Sequence, residues 1–147
     1  MLILHGDLFT SGRSDYSDYS PHHSEPTAKV YVKVHFSSMS QPLLAQLDTG
    51  AAWSILAPEL AEAAGVAAEA GDPTILRTHF GIKRGYLVQV PFTFIADDGD
   101  HLDAEGTFFV APDWPSGHVF LGYSGLLDSI RFALDPQANH FYFGPGV

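Results

Sequence analysis

The sequence predicts a mainly β protein, a compact barrel of short strands carrying two short helices. Three observations point there. Apolar residues recur with period two in run after run, and clusters of Gly, Pro, Asp and Ser separate the runs. No stretch holds a long helical period, and none repeats. The chain has 147 residues, 46% hydrophobic and 13% aromatic, which suits one domain with a sizeable core and is too few for two lobes.

Composition removes several function classes. There is no cysteine, so disulfides, thiolate metal sites and thiol nucleophiles are excluded. Seven Lys and Arg against 17 Asp and Glu give a formal charge of -10, which opposes a phosphate backbone and argues against nucleic acid as a partner. Met1 to Leu4 is too short an apolar run for a signal peptide or a membrane span, so the expectation is a soluble, cytoplasmic chain. Residues 1–28 are polar and almost without aliphatics from His5 onward. They read as a flexible arm, with Met1 to Leu4 as a short strand docked elsewhere. His22, His23 and Glu25 in that arm read as solvated rather than as metal ligands, and the reading calls for no metal or cofactor.

The domain is expected over residues 29–147. Lys29 to Phe36 alternates, with Val30, Val32, Val34 and Phe36 on one face, and forms a hairpin with Leu43 to Leu47. His35 falls on the opposite face and reads as an exposed strand residue. Ser54 to Leu56 is a brief strand, and Pro58 to Gly65 a short helix with Pro in its first turn and Gly at its end. Ala67 to Pro73 reads as a linker. Thr74 to Phe80 and Tyr86 to Ile95 are strands joined by a glycine-flanked connection, Gly81 to Gly85, with Lys83 and Arg84 at its tip. Asp98-Gly99 reads as a solvated hairpin apex. Strands follow at Leu102 to Val110 and Val119 to Gly122, then a short helix opened by Ser124, and a last hairpin of Ile130 to Leu134 with His140 to Phe143.

The stretch that carries chemistry is Gln46 to Leu56. An apolar strand ends at Leu47, and Asp48, Thr49 and Gly50 follow directly, so a carboxylate is held at a loop apex where glycine lets the backbone turn. A solvated turn would account for the tripeptide alone. Apolar runs on both sides, Leu43-Leu44-Ala45 with Leu47 before and Trp53 with Ile55-Leu56 after, favour a functional site.

Leu47-Asp48-Thr49-Gly50-Ala51, together with Phe120-Leu121-Gly122 and the short helical stretch holding Leu126 and Leu127, resembles the two signatures of the retropepsin-like aspartic proteases. The resemblance covers roughly residues 29 to 143 and is closest in flavour to bacterial, single-lobe members. It implies a closed acid-protease barrel with Asp48, Thr49 and Gly50 as the catalytic loop, and Leu121 and Gly122 as its structural support. Residues 74–95 would form a flap, with Ala51, Phe80, Gly81, Ile82 and Gly85 touching substrate. Phe80, Phe92 and Trp114 could line specificity pockets, although each reads first as core. Retroviral members usually pair an acidic residue two positions after the glycine with an arginine after the second signature. Here those positions are Ala52 and Tyr123, so both partners are missing together and no buried charge is stranded.

The implied reaction is peptide-bond hydrolysis, which needs two carboxylates that share one proton, one as general base and one as general acid. A search for a second Asp-Thr-Gly or Asp-Ser-Gly finds none, so the second acid must come from another copy and the expected state is a homodimer. Strands near the termini, His140 to Phe143 and Leu2 to Leu4, are candidates for its contacts. Two alternatives stay open: a retropepsin-like binding or dimerisation module without proteolysis, and an unrelated ligand-binding β barrel in which the tripeptide is accidental.

Overall fold

Alternation in the sequence accounts for most of the strands. The structure, a computed structural model, describes residues 1–19, 26–79, 81–115 and 117–147. In chain order it forms β1 (Ile3–Leu4), β2 (Asp7–Leu8), β3 (Gly12–Asp15), β4 (Ser17–Tyr19), β5 (Pro26–His35), β6 (Leu43–Leu47), β7 (Ser54–Leu56), α1 (Pro58–Ala63), β8 (Asp72–Thr78), β9 (Gly81–Phe94), β10 (Asp98–Gly99), β11 (Leu102–Val110), β12 (Val119–Leu121), β13 (Ile130–Asp135) and β14 (His140–Pro145). Short 3-10 turns lie at Ala68–Ala70, inside the expected linker, and at Leu127–Ser129. Among the described residues no helix is long and apolar enough to cross a membrane.

The larger sheet closes on itself. β5 and β6 form an antiparallel hairpin, β6 runs parallel to β12, and β12 runs antiparallel to β7. β7 is parallel to β11, β11 antiparallel to β9, and β9 returns to β5 through Val34 opposite Phe94 and His35 opposite Thr93. A ring of pairings removes the open edges that would invite association. β4 and β8 extend the sheet outside the ring, on β5 and β9. Pro91, which has no N–H to donate, falls in the interval where β9 has left β8 and not yet met β5.

The inward faces meet in an aromatic core. Val32, Val34 and Phe36 are buried as the period of two requires, and Phe92, one of the aromatics considered for a pocket, is buried with them. Phe36, Phe92, Phe94, Phe108, Phe141 and Phe143 contact one another at centroid separations from 5.1 to 6.1 Å. Fully burying one such ring contributes about 1.5–3 kcal/mol. His35 is half-buried and its Nε2 lies 2.8 Å from the Met39 carbonyl, so its ring braces the β5–β6 turn.

Four expectations are corrected. Residues 12–19 are not an arm: β3 lies between β10 and β14 in a second sheet of order β10-β3-β14-β13, and β4 pairs with β5. Main-chain pairing and the close seat of Gly12 against the Phe143 ring hold that segment, and neither leaves a hydrophobic period to read. His22, His23 and Glu25 lie outside the described residues. β14 has β3 on one side and β13 on the other, so His140 to Phe143 is an interior strand rather than an edge free for a second copy. One α-helix forms instead of two, because Gly125 adopts φ +75 and interrupts the segment after Ser124 before any α turn is made. Asp98-Gly99 is no free apex, since it pairs as β10 with Arg13 and Gly12 of β3.

The same loop carries the fold's clearest electrostatic tie. Asp97 forms an ion pair with Lys33 and accepts the Asp15 N–H at 2.7 Å. Burial alone would raise its pKa, but the Lys33 hydrogen bond, the Asp15 N–H and the charges of Lys33 and Arg13 outweigh burial and hold the carboxyl below its ordinary range. A carboxyl with a lowered folded-state pKa stabilises the fold above its unfolded-state pKa, and the contribution is lost as pH falls through the folded-state value. Both side chains are about one-third exposed (32% and 33%), so solvent screens the pair. Asp97→Asn is expected to lower unfolding stability by about 0.5–1 kcal/mol at neutral pH, with the gap to wild type closing progressively below about pH 4. Urea melts across that range check it; a gap that stays constant into acid counts against the pair.

Candidate active site

Three strands converge where the sequence places its carboxylate. Leu47 at the end of β6 is paired with Leu121 at the end of β12, and the Asp48 N–H donates to the Leu121 carbonyl at 2.9 Å, carrying the parallel pairing one residue further. The chain then turns. The Gly50 N–H donates to Asp48 Oδ1 at 3.2 Å and the Ala51 N–H to the Asp48 carbonyl at 3.1 Å, so the carboxylate is aimed by its own loop. The turn-forming chemistry of the tripeptide and its use as a site therefore coexist.

The far side of the loop is strapped down as well. The Tyr123 N–H donates to the Ala51 carbonyl and the Ser124 N–H to the Ala52 carbonyl, both at 2.8 Å. The Gly122 N–H donates to Oγ of Ser54, a fully buried hydroxyl, at 2.9 Å. A Cβ on Gly122 would collide with the Trp53 carbonyl and the Ser54 nitrogen, so only glycine lets the two backbones pass this closely. Leu121, which is fully buried, and Gly122 are bonded to Asp48 and to Ser54 on either side of the loop.

Above the loop is a cleft of about 740 Å³. Asp48, Gly50 and Ala51 of the loop line it, Trp53, Ile55, Trp114 and Phe120 give it apolar walls, and Leu76, Arg77 and Thr78 at the end of β8 line it together with His79 of the turn that follows. Leu76 fixes that end of β8 by packing on the cluster of Ile55, Phe109, Ala111 and Trp114. Trp114 meets Phe109 edge to face at 6.4 Å, so it is both core and cleft wall. Asp48 is half-buried, while Thr49 and Gly50 are exposed, and the Thr49 hydroxyl makes no hydrogen bond among the described residues. Among those residues no group of three or more His, Asp or Glu is placed to hold a metal ion.

The expected flap contacts are rearranged. β8 and β9 stay paired up to Thr78 and Gly81, so the hairpin tip lies between those two residues rather than over 81–85. Gly81, at φ +96, completes the tight turn. Lys83 and Arg84 fall inside β9, with Lys83 Nζ 3.4 Å from an Asp113 carboxylate oxygen. Gly85 is buried because a Cβ there would collide with the Val110 carbonyl, and it opens on a separate cavity beside Ile75, Arg84 and Tyr86. Gly81 and Ile82 do not line the Asp48 cleft, and Phe80 lies outside the described residues. The cleft residues that the sequence did not single out, Leu76, Arg77, Thr78 and His79, come from the strand before the turn. Placing the tip four residues earlier would have found them.

No protein-family model matches the chain, and no curated protein matches it. Among solved structures, the crystal structure of a retropepsin-like aspartic protease from Rickettsia conorii aligns with a TM-score of 0.57 at 15% sequence identity, covering 89% of this chain and 98% of that one. At that identity the likeness is one of fold: the chain has a mainly β, retropepsin-like architecture.

Removing the hydroxyl under the loop should be costly. Ser54→Ala leaves the buried Gly122 N–H without its acceptor and is expected to lower unfolding stability by about 1–3 kcal/mol. Chemical denaturation measures this, and a loss within about 0.5 kcal/mol would mean that the Ser54–Gly122 strap does not hold the loop.

Proposed function

We propose that the protein is an aspartic endopeptidase that works as a homodimer, each copy supplying one Asp48. The observation that carries this reading is the placement of the Asp48 carboxylate, aimed by the Gly50 N–H and tied to β12, in a cleft of about 740 Å³ with apolar walls that the end of β8 also lines. The likeness of fold to a retropepsin-like aspartic protease supports the same general kind.

In the dimer, the two loops face each other across a two-fold axis. Like-charge repulsion keeps a single proton between the carboxylates, so one is ionised and the other is not. The ionised acid takes a proton from a bound water whose oxygen attacks the peptide carbonyl carbon, while the protonated acid donates to the carbonyl oxygen. Collapse of the tetrahedral species breaks the C–N bond and a proton passes to the leaving nitrogen, without a covalent enzyme intermediate. The unpartnered Thr49 hydroxyl is free to bond across to the other loop, and Gly50 permits the close approach. Residues 74–95 act as the flap, with β8 as its substrate-facing strand. Exposed Thr49 and Tyr123 beside the loop, and the exposed Ile3, Leu4 and Leu8 of the β1–β2 hairpin, are the surfaces a second copy would cover.

Asp48→Asn should abolish cleavage of a peptide library, a loss of roughly 10²–10⁴-fold or more, while sedimentation still reports a dimer. An equimolar, fully exchanged mixture of wild type and Asp48→Asn should retain about a quarter of the activity, the statistical share of dimers with two aspartates. Retention of half would mean that each chain acts alone. A dimer that binds peptides and never cleaves them would instead favour a binding module.

A further inference from the structure

Charge is segregated in this chain. Residues 73–96 contain Arg77, Lys83 and Arg84, three of the seven Lys and Arg, and not one Asp or Glu, although the whole carries a net charge of -10. The three cations have different surroundings. Lys83 is committed to Asp113, and Arg84 lies beside Ile75 and Tyr86 at a separate cavity. Arg77 lines the Asp48 cleft, is exposed, and has no carboxylate partner among the described residues. His79, in the turn just past β8, lines the same cleft and is exposed too.

An unpaired guanidinium in a strongly acidic protein is a recognition element in want of an anion. Asp48, the one acid among the residues lining the cleft, is held by the Gly50 N–H. A planar guanidinium presents a fork of donors that matches a carboxylate, and closure over a substrate removes the water that otherwise screens it. The remaining walls, Trp53, Ile55, Trp114 and Phe120, fit a large apolar side chain. We infer that the cleft selects peptides in which a bulky apolar residue is followed or preceded closely by Asp or Glu, with Arg77 as the residue that reads the acid and His79 as a second donor. The net negative charge of the chain repels such peptides at long range. Within a Debye length, about 8–10 Å, the acid-free hairpin governs the approach.

This selectivity rests on the cleft proposed above as the active site, and its test separates the two. Paired fluorescent peptides, identical around one aromatic residue except for Glu or Lys two positions away, are offered to the full-length protein for cleavage, and to Asp48→Asn for binding by anisotropy. The Glu peptide should be favoured by roughly three- to tenfold, the advantage should vanish in Arg77→Ala, and it should turn toward the Lys peptide in Arg77→Glu. Circular dichroism confirms that these exposed-site variants fold. Efficient cleavage with equal use of both peptides, or a preference unchanged in Arg77→Glu, overturns the inference and leaves the protease reading standing. Charge-selective binding without cleavage does the reverse. Failure to bind either peptide overturns the inference as well.

Discussion

The passage of β12 beneath the Asp48 loop is the constraint on which the site depends. β12, distant in sequence, ends beside the loop that joins β6 to β7, and the contact is possible only because Gly122 has no side chain to strike the Trp53–Ser54 backbone. Around that crossing four main-chain donors find acceptors: Asp48 to Leu121, Gly122 to Ser54, Tyr123 to Ala51 and Ser124 to Ala52. The bonds come from both sides of the loop, so its conformation is set by the barrel rather than by the loop's own preference. Closure of the ring through β9 and β5 then fixes β6, β7 and β12 relative to one another, which makes a turn of three residues a rigid mount for a carboxylate.

Under the proposed function, a rigid mount for one carboxylate supplies half of an acid–base pair. The features left unsatisfied on the single chain lie together at this loop: a threonine hydroxyl without a partner, an exposed Tyr123, and an acid reachable from the cleft. Loops with surplus hydrogen-bonding capacity and exposed aromatic surface have the character of surfaces completed by a partner, whereas the strands of the closed ring pair with one another within the chain.

Much of the barrel was legible because its strands alternate. Val32, Val34 and Phe36 announce a buried face, Leu102 to Val110 was read to the residue, and the Asp48 loop is marked by composition and by its apolar flanks. What escaped reading did so for physical reasons. β3 and β4 are held by backbone pairing and a glycine packed on a phenylalanine, and polar residues serve that as well as apolar ones. The second helix failed because the sign of φ at Gly125 decides between an α turn and a reversal, and composition does not encode that sign. At the flap, glycines at 81 and 85 looked like two ends of one mobile tip. One makes the turn and the other makes room for a carbonyl. Misplacing the tip moved attention to Ile82 and Gly85 and away from Arg77 and His79.

That pair of glycines also grades the stability of the hairpin along its length. Near its base, Gly85 lies against the Val110 carbonyl, and from Tyr86 onward β9 is locked to β11. In the middle, Leu76 is packed on the cleft wall. Toward the tip, Ile82, opposite Arg77, is more than half exposed, and beyond Thr78 and Gly81 there is no further pairing to lose. Local opening costs least where buried contacts and ladder bonds are fewest, so the end carrying Arg77 and His79 lifts before the base does. A hairpin built this way keeps its base in the barrel and frees the strand end that carries Arg77 first. The order of those two steps follows from packing alone, whatever occupies the cleft.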